Sequence, residues 1–310
     1  MMEVLNIDHR FQPTDEIAAT IGFFDGVHAG HQFLLKQLKE QAEMRRLPSM
    51  AITFLQFPKS VLQKKSQQDL LNTLDEKIDR LSLSGIDYCK LVNFTQSLSQ
   101  YKAKDFIQRK LKEEWHVKML LIGHDHRFGK NRTESFKHYV KYGEDCGMEI
   151  LHAPELQDFK VSSTKIRNCL IEKKIKEANR MLSYCYQLEG TVIEGNHIGR
   201  TIDFPTANIR INDINKIIPG EGTYASWIYW NGRKFAGMVY IGNRPTVVRQ
   251  GEKRIEAHLF DFSGDLYGEK LRLEFVEFLR EEQQFCNTED LKTQLVADKL
   301  SAIKALGEMG

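Results

Sequence analysis

His28 and His31 stand three residues apart in the stretch Ile21-Gly22-Phe23-Phe24-Asp25-Gly26-Val27-His28-Ala29-Gly30-His31, close enough for both imidazoles to reach one anion from a single side. An apolar run beginning near Ile17 precedes them. Phe33, Leu34, Leu35, Leu38 and Ala42 follow at helical spacing, so the segment reads as strand, glycine-rich turn and helix. Such a turn suits phosphate. N–H groups at a helix start lack intrahelical partners, the macrodipole adds partial positive charge, and glycines let an anion approach the backbone. On spacing alone, a tight connection with two surface histidines is an equal reading. Two histidines with no nearby cysteine or third carboxylate ligand do not suggest a structural zinc site.

Four further clusters carry chemistry. In Gly123-His124-Asp125-His126-Arg127-Phe128-Gly129, directly after the apolar run 119–122, Asp125 and Arg127 could bond a phosphate chain, and Phe128-Gly129 offers an apolar wall with a close backbone approach. In Val161-Ser162-Ser163-Thr164-Lys165-Ile166-Arg167, hydroxyls precede a short helical pattern; they read as caps, or with Lys165 or Arg167 as a clamp for a triphosphate opposite the histidines. In Gly199-Arg200-Thr201-Ile202-Asp203-Phe204-Pro205-Thr206-Ala207-Asn208, Pro205 fixes a turn while the Thr206 hydroxyl and Asn208 carbonyl supply hard oxygens suited to Mg²⁺ beside phosphates. Arg254 to Phe262 alternates as a half-buried strand with Glu256 and His258 on one face, read as two inward polar groups. They fit either a barrel-edge pair or catalysis.

The elements that must position these groups fall into two patterns. In the first half, strands at 49–55, 88–94, 117–122 and 148–151 alternate with helices at 75–83, 103–114 and 133–146, which implies a parallel, doubly wound α/β sheet. Ligands of such sheets sit beyond the carboxyl ends of the strands, where His28 and His31 fall. From about Cys185 the pattern becomes β-rich, with strands at 186–194, 224–230, 234–241, 255–262 and 271–279 and a hairpin signal at Asn231-Gly232. A small antiparallel barrel follows, with a closing helix whose stripe of Leu291, Leu295, Val296, Leu300 and Ile303 is expected to pack on it. The expected domains are 1–184 and 185–310.

A chain of 310 residues accommodates two cores, and 41% hydrophobic with 28% charged residues is ordinary for a globular protein. Lys and Arg total 44 against 42 Asp and Glu, so no basic surplus points to nucleic acid or membrane. No apolar run approaches ~20 residues and Met1 to Asn6 has no leader pattern, so a cytoplasmic location is expected. Cys89, Cys146, Cys169, Cys185 and Cys286 are scattered and read as reduced thiols. Assembly into oligomers is open but not predicted.

The pattern G-x-F-D-G-V-H-x-G-H at 22–31 resembles that of the bacterial bifunctional riboflavin kinase/FMN adenylyltransferases (FAD synthetases). The loop at 123–129 is similar to their G-x-D-F-x-F-G segment, 161–167 to I-S-S-T-x-x-R, and 199–208 to G-R-x-x-G-F-P-T-A-N. Gly222-Thr223-Tyr224-Ala225, Ile241-Gly242-Asn243-Arg244-Pro245-Thr246, Gly264-Asp265-Leu266-Tyr267-Gly268 and Leu279 to Phe285 match further barrel segments, so the resemblance covers nearly the whole chain. It implies a Rossmann-like nucleotidyltransferase domain, a riboflavin kinase barrel with a C-terminal helix, and ATP, riboflavin, FMN, FAD and pyrophosphate as substrates and products, with Mg²⁺. It also implies roles. His28, His31 and Glu256 would be catalytic. Gly22, Phe23, Phe24, Asp25, Gly26, Asp125, Arg127, Phe128, Gly129, Ser162, Ser163, Thr164 and Arg167 would hold ATP for adenylyl transfer. Gly195, Gly199, Arg200, Pro205, Thr206, Asn208 and Arg280 would hold ATP or flavin in the kinase, with Thr206 and Asn208 on the metal. The chain departs from the pattern at Phe57, where relatives carry a histidine, at His126 and Asn131, and at Asp203 in place of a glycine. An enzyme keeping one of the two activities, adenylyl transfer to another phosphate acceptor, and a flavin-sensing regulator are the alternatives.

Overall fold

The computed structural model describes residues 2–6, 16–56, 69–123, 127–130, 133–155, 160–194, 204–243 and 253–307. They form two compact units, Met1–Ser162 and Ser163–Gly310.

In the first unit, β1 (Glu3–Leu5), β2 (Ile17–Ile21), β3 (Ser49–Phe54), β4 (Tyr88–Val92), β5 (Val117–Ile122) and β6 (Glu149–His152) make one sheet in the order β1-β4-β3-β2-β5-β6, every pair parallel. Every residue of β2 and β3 is buried, as continuous apolar strands covered on both faces must be. Ala18, Cys89 and Met119 face one way, against Leu35, Leu38 and Ala42 of α1 (Ala29–Arg45) and Leu81 of α2 (Leu74–Ser82). Ala19, Met50 and Leu120 face the other, against Phe106 and Tyr139. The expected doubly wound sheet is thus present. Its order runs from β2 to β3 on one side and to β5 on the other, so a crevice opens between the carboxyl ends of β2 and β5.

The helix expected at 103–114 is a turn of α-helix, Ala103–Asp105, running into a π-helix, Phe106–Glu114, where Trp115 N–H reaches back five residues to the Lys110 carbonyl. Its buried residues, Phe106, Ile107 and Leu111, suit that wider turn.

The second unit begins with α6 (Ser163–Ile171) and α7 (Ile175–Leu182); the short helices Gln96–Ser99 and Ala103–Asp105 and the helix Phe136–Asp145 are α3, α4 and α5. Strands β7 (Tyr186–Ile193), β8 (Ala207–Ile211), β9 (Gly222–Trp230), β10 (Arg233–Asn243), β11 (Lys253–Leu259) and β12 (Lys270–Arg280) then close into an antiparallel barrel, β10-β11-β8-β7-β12-β9. The hairpin signal forms a two-residue turn, Asn231 and Gly232 having φ of 47° and 75°. Segment 207–211, read only as part of a turn motif, is a strand. Sequence periodicity set the change of pattern at Cys185, whereas the compact unit starts at Ser163. Asn179 explains the difference: its amide donates to the Phe275 carbonyl (2.8 Å) and its carbonyl accepts from Tyr186 N–H (2.8 Å), tying α7 to the barrel.

The last helix, α8 (Thr288–Gly307), packs Leu291, Leu295, Ala302, Ala305 and Leu306 against Ala225, Met238, Phe260 and Val276. Val296, Leu300 and Ile303, expected on that face, are exposed. Asp298 sets the rotation. Its carboxylate is 3% exposed and accepts from Arg280 Nε at 2.9 Å on both oxygens, with Nη2 at 2.8 Å. Removing one member of such a pair strands the other. Asp298→Ala is therefore expected to destabilise the barrel by about 3 kcal/mol in denaturant unfolding, with Asp298→Asn losing less. Among the described residues no helix is long and apolar enough to cross a membrane.

Candidate active sites

The first site lies at the carboxyl end of β2. Between Ile21 and α1 the backbone turns through left-handed Phe24 (φ 54°), Gly26 (φ 82°) and Val27 (φ 34°), closed by Val27 N–H to the Phe24 carbonyl (3.1 Å). Helix α1 is capped by His28, whose Nδ1 accepts from His31 N–H at 3.3 Å. An imidazole in place of the usual Ser, Thr, Asp or Asn is uncommon at this position. Gly30 leaves the ring room, since a Cβ there would lie 3.3 Å from His28 Cε1. With Nδ1 accepting, the neutral ring carries its proton on Nε2.

The two imidazoles stack, centroids 3.6 Å apart and 13° from parallel, with Phe24 edge-on to His31 at 5.3 Å. Two imidazolium ions would not stack so closely. Consistently, burial depresses His28 from 6.5 to about 4. It is a neutral hydrogen-bond donor at neutral pH, not a fixed cation.

Of the other residues expected on phosphate, Asp25 is buried and its carboxylate accepts from Leu71 N–H (2.9 Å) and Asn72 N–H (3.4 Å). It shapes the turn by tying it to the start of α2. Phe23 is half-buried, and its carbonyl accepts from Thr53 Oγ1 (3.1 Å) and Lys77 Nζ (3.3 Å). Gly22 lies beneath the Phe24 ring.

Across the crevice, Gly123 follows β5 and passes α1, a Cβ there lying 3.6 Å from Leu34. Arg127 is exposed. Phe128, read as a pocket wall, is turned into the core. It stacks on Tyr139 (4.3 Å, 12°), whose hydroxyl accepts from Phe128 N–H (3.2 Å) and donates to the Phe128 carbonyl (3.1 Å). At Gly129 (φ 93°) the close approach is by Ala103, 2.9 Å from a notional Cβ. These two residues therefore anchor the loop. Asp125 lies outside the described residues. Ser163, Thr164 and Arg167 are in the first two turns of α6 and Ser162 directly precedes it.

The second site is built on β8 and β11. Asn208 is paired with Glu256 across the two strands, so both side chains share one face, and Thr206 Oγ1 lies 3.4 Å from Glu256 Oε2. Arg254, which sequence reasoning passed over, grips the same carboxylate through Nε (2.6 Å) and Nη2. His258 Nδ1 donates to the Pro205 carbonyl at 2.7 Å, which holds the Pro205–Thr206 turn against β11. Burial lowers the His258 pKa, keeping that ring neutral.

Glu256 and His258 do not point inward as expected. His258, itself buried, pairs with Met238 and so shares the face that packs under α8, while Ile255, Ala257 and Leu259 occupy the opposite face of the strand. Arg280, expected on nucleotide or flavin, is held by Asp298 and by the Glu281 carbonyl (2.9 Å). Gly195, Gly199, Arg200 and the departure at Asp203 lie outside the described residues, as do Phe57, His126 and Asn131.

A histidine-capped helix start at a sheet switch point and, on a barrel, a carboxylate beside a hydroxyl and an amide are arrangements suited to group transfer on phosphates. Residues 11–165 match the family model of FAD synthetase and residues 182–306 that of riboflavin kinase. Bifunctional riboflavin kinase/FMN adenylyltransferases are similar throughout: that of Escherichia coli K12 is 34% identical over 95% of this chain and 94% of its own. That of Listeria monocytogenes is 35% identical over 90% and 89%, and that of Pseudomonas fluorescens 33% over 98% of each. A solved structure described as a macrolide-efflux protein of Streptococcus pneumoniae has the same fold, with a TM-score of 0.85 at 26% identity over 97% of this chain and 99% of that one. The chain belongs to the bifunctional riboflavin kinase/FMN adenylyltransferase family.

The depressed His28 has a consequence for stability. The unfolded chain takes up a proton near 6.5 and the folded chain near 4, so the stabilisation is complete above pH 6.5 and lost as pH falls towards 4. The difference is of order 3 kcal/mol. Unfolding of the first unit is expected to become easier across that window, and the pH dependence to flatten in His28→Gln, as read by hydrogen exchange of the α1 amides.

Proposed function

We propose that the barrel phosphorylates riboflavin to FMN and that the α/β half, residues 1–184 in the functional division, adenylylates FMN to FAD. The observation that supports this best is the separation of the two chemistries. A proton-accepting carboxylate stands beside a hydroxyl and an amide in the barrel, while the helix-start site holds hydrogen-bond donors.

That difference matches the two nucleophiles. The riboflavin 5′-hydroxyl must lose a proton as it attacks the γ-phosphorus of ATP; Glu256 accepts it and ADP leaves. Arg254 keeps the carboxylate oriented, and the His258 bond to Pro205 keeps Thr206 beside it. Thr206 and Asn208 offer two hard oxygens. That set fits Mg²⁺, which takes few protein ligands and completes its shell with phosphate and water. When bound, it neutralises charge on the β- and γ-phosphates.

The FMN phosphate, in contrast, is already an anion. One of its oxygens attacks the α-phosphorus of ATP, the α–β bridging bond breaks, and pyrophosphate departs with no base required. Here His28 donates from Nε2, and with His31 and the first N–H groups of α1 it stabilises the crowded phosphates. By their resemblance to the family motifs, Ser162, Ser163, Thr164 and Arg167, and Asp125 and Arg127 from the segment after β5, serve the nucleotide of this transfer. Gly195, Gly199 and Arg200 serve the kinase nucleotide. A cytoplasmic location fits the free thiols of all five cysteines and the use of ATP twice.

Chromatography of flavins after incubation with riboflavin or FMN, ATP and Mg²⁺ tests the scheme. FMN should appear before FAD. His28→Ala should abolish FAD while FMN still accumulates, and Glu256→Ala should stop FMN formation yet still convert supplied FMN to FAD. Loss of both products in either folded variant would refute the two-site assignment.

A further inference from the structure

Lys77, in the first turns of α2, is 4% exposed, and neither transfer described above uses it. Its Nζ donates to the Phe54 carbonyl at 2.9 Å and to the Phe23 carbonyl at 3.3 Å, and lies 4.4 Å from the centroid of the Phe23 ring. Those carbonyls belong to the last residue of β3 and to the second residue past β2. An isolated ammonium is expensive to bury, and a Leu or Met would fill the same volume without that penalty. What distinguishes lysine here is its ability to donate to two carbonyls from different strands at once.

The position of those carbonyls matters. Phe23 immediately precedes left-handed Phe24, and its oxygen takes Thr53 Oγ1 as well as Lys77. Two residues on, Asp25 is bonded to the backbone of Leu71 and Asn72, which leads into α2. Helix α2 is itself set by a capping box, Thr73 Oγ1 accepting from Glu76 N–H (3.2 Å) and the Glu76 carboxylate from Thr73 N–H (3.0 Å). The turn that carries the histidines is therefore bonded both to α2, through Lys77, and to the segment leading into it, through Asp25.

We propose that Lys77 is a positioning residue for adenylyl transfer: its ammonium clamps the Phe23 and Phe54 carbonyls and so holds the Gly22–His31 turn in the conformation that presents His28 to the phosphates. Lys77 acts through the backbone and touches no substrate. The inference rests on adenylyl transfer taking place at this turn. The titratable groups that face it are the Asp25 carboxylate from the turn and the Cys89 thiol from β4, the latter pushed up to about 11 by burial and hence uncharged. Burial lowers Lys77 to about 8, opposed by Asp25, so the charge that strengthens both bonds is lost as pH rises through that value.

The test is steady-state kinetics of the full chain. In Lys77→Met, kcat for FAD formation from FMN should fall about a hundredfold, with KM for FMN nearly unchanged and riboflavin phosphorylation intact. Lys77→Arg should restore activity. Wild-type FAD formation should decline above about pH 8, and that limb should vanish in Lys77→Arg, whose charge persists. A folded Lys77→Met with wild-type kcat overturns the proposal, and so does an equal loss of both activities, which marks general destabilisation. If Lys77→Met does not fold, Lys77→Arg decides: an alkaline limb left where it was in the wild type overturns the clamp. His28→Ala separates the two levels. FAD formation surviving in His28→Ala refutes the siting of adenylyl transfer at this turn, whereas its loss there beside a fully active Lys77→Met refutes only the role of Lys77.

Discussion

The first unit depends on holding one strand-to-helix turn in a backbone conformation that its residues do not favour. Phe24 and Val27 sit in the left-handed region, each at a cost of order 1–3 kcal/mol. Such strain persists only where the surroundings over-determine it. Here Asp25 fixes the turn to the Leu71–Asn72 backbone, Lys77 and Thr53 fix Phe23, and Gln32 Nε2 donates to the Val27 carbonyl at 2.9 Å. The result is a helix start whose cap is an imidazole. A serine in its place would satisfy the same backbone donor with its one oxygen; His28 accepts from His31 N–H with Nδ1 and carries its proton on the other nitrogen.

The barrel solves a similar problem with different means. The Glu256 carboxylate and the Thr206 hydroxyl beside it are each held by a neighbour. Arg254 orients Glu256, and His258 draws Pro205 towards β11 so that Thr206 arrives beside the carboxylate. The Arg280–Asp298 pair fixes the rotation of α8. Positioning in both units therefore rests on buried or half-buried polar groups bonded to backbone carbonyls or carboxylates, which are costly to leave unpaired and so tolerate few alternative arrangements.

The groups that each unit offers divide the two reactions. A ring that stays neutral to about pH 4 suits a site where the nucleophile is already an anion and needs only donors. A carboxylate beside a hydroxyl and an amide, as Glu256 is beside Thr206 and Asn208, suits a site where a hydroxyl proton must be received. The sheet topology explains why the first set gathers where it does: strand order reverses between β2 and β5, so the segments leaving both strands line one crevice.

Much of this was legible in the residues themselves. Apolar alternation and period pointed to the parallel sheet, the barrel and nearly every strand, because each is a short-range pattern carried within about ten residues, while the roles expected of His28, His31, Thr206, Asn208 and Glu256 came from the resemblance of short motifs to a family. What a local pattern cannot carry is a partner far along the chain. Lys77 bonds Phe23 from 54 residues away and His258 bonds Pro205 from 53. For the same reason the chain by itself shows neither the stacking of Phe128 on Tyr139, nor the ion pair of Arg280 with Asp298, nor the bond from Asn179 to the Phe275 carbonyl. The sequence by itself determined which groups could do the chemistry. Only the tertiary structure decided which polar side chains are free to face a ligand and which are consumed in holding the backbone, because that depends on strand order and helix docking rather than on neighbours in the chain.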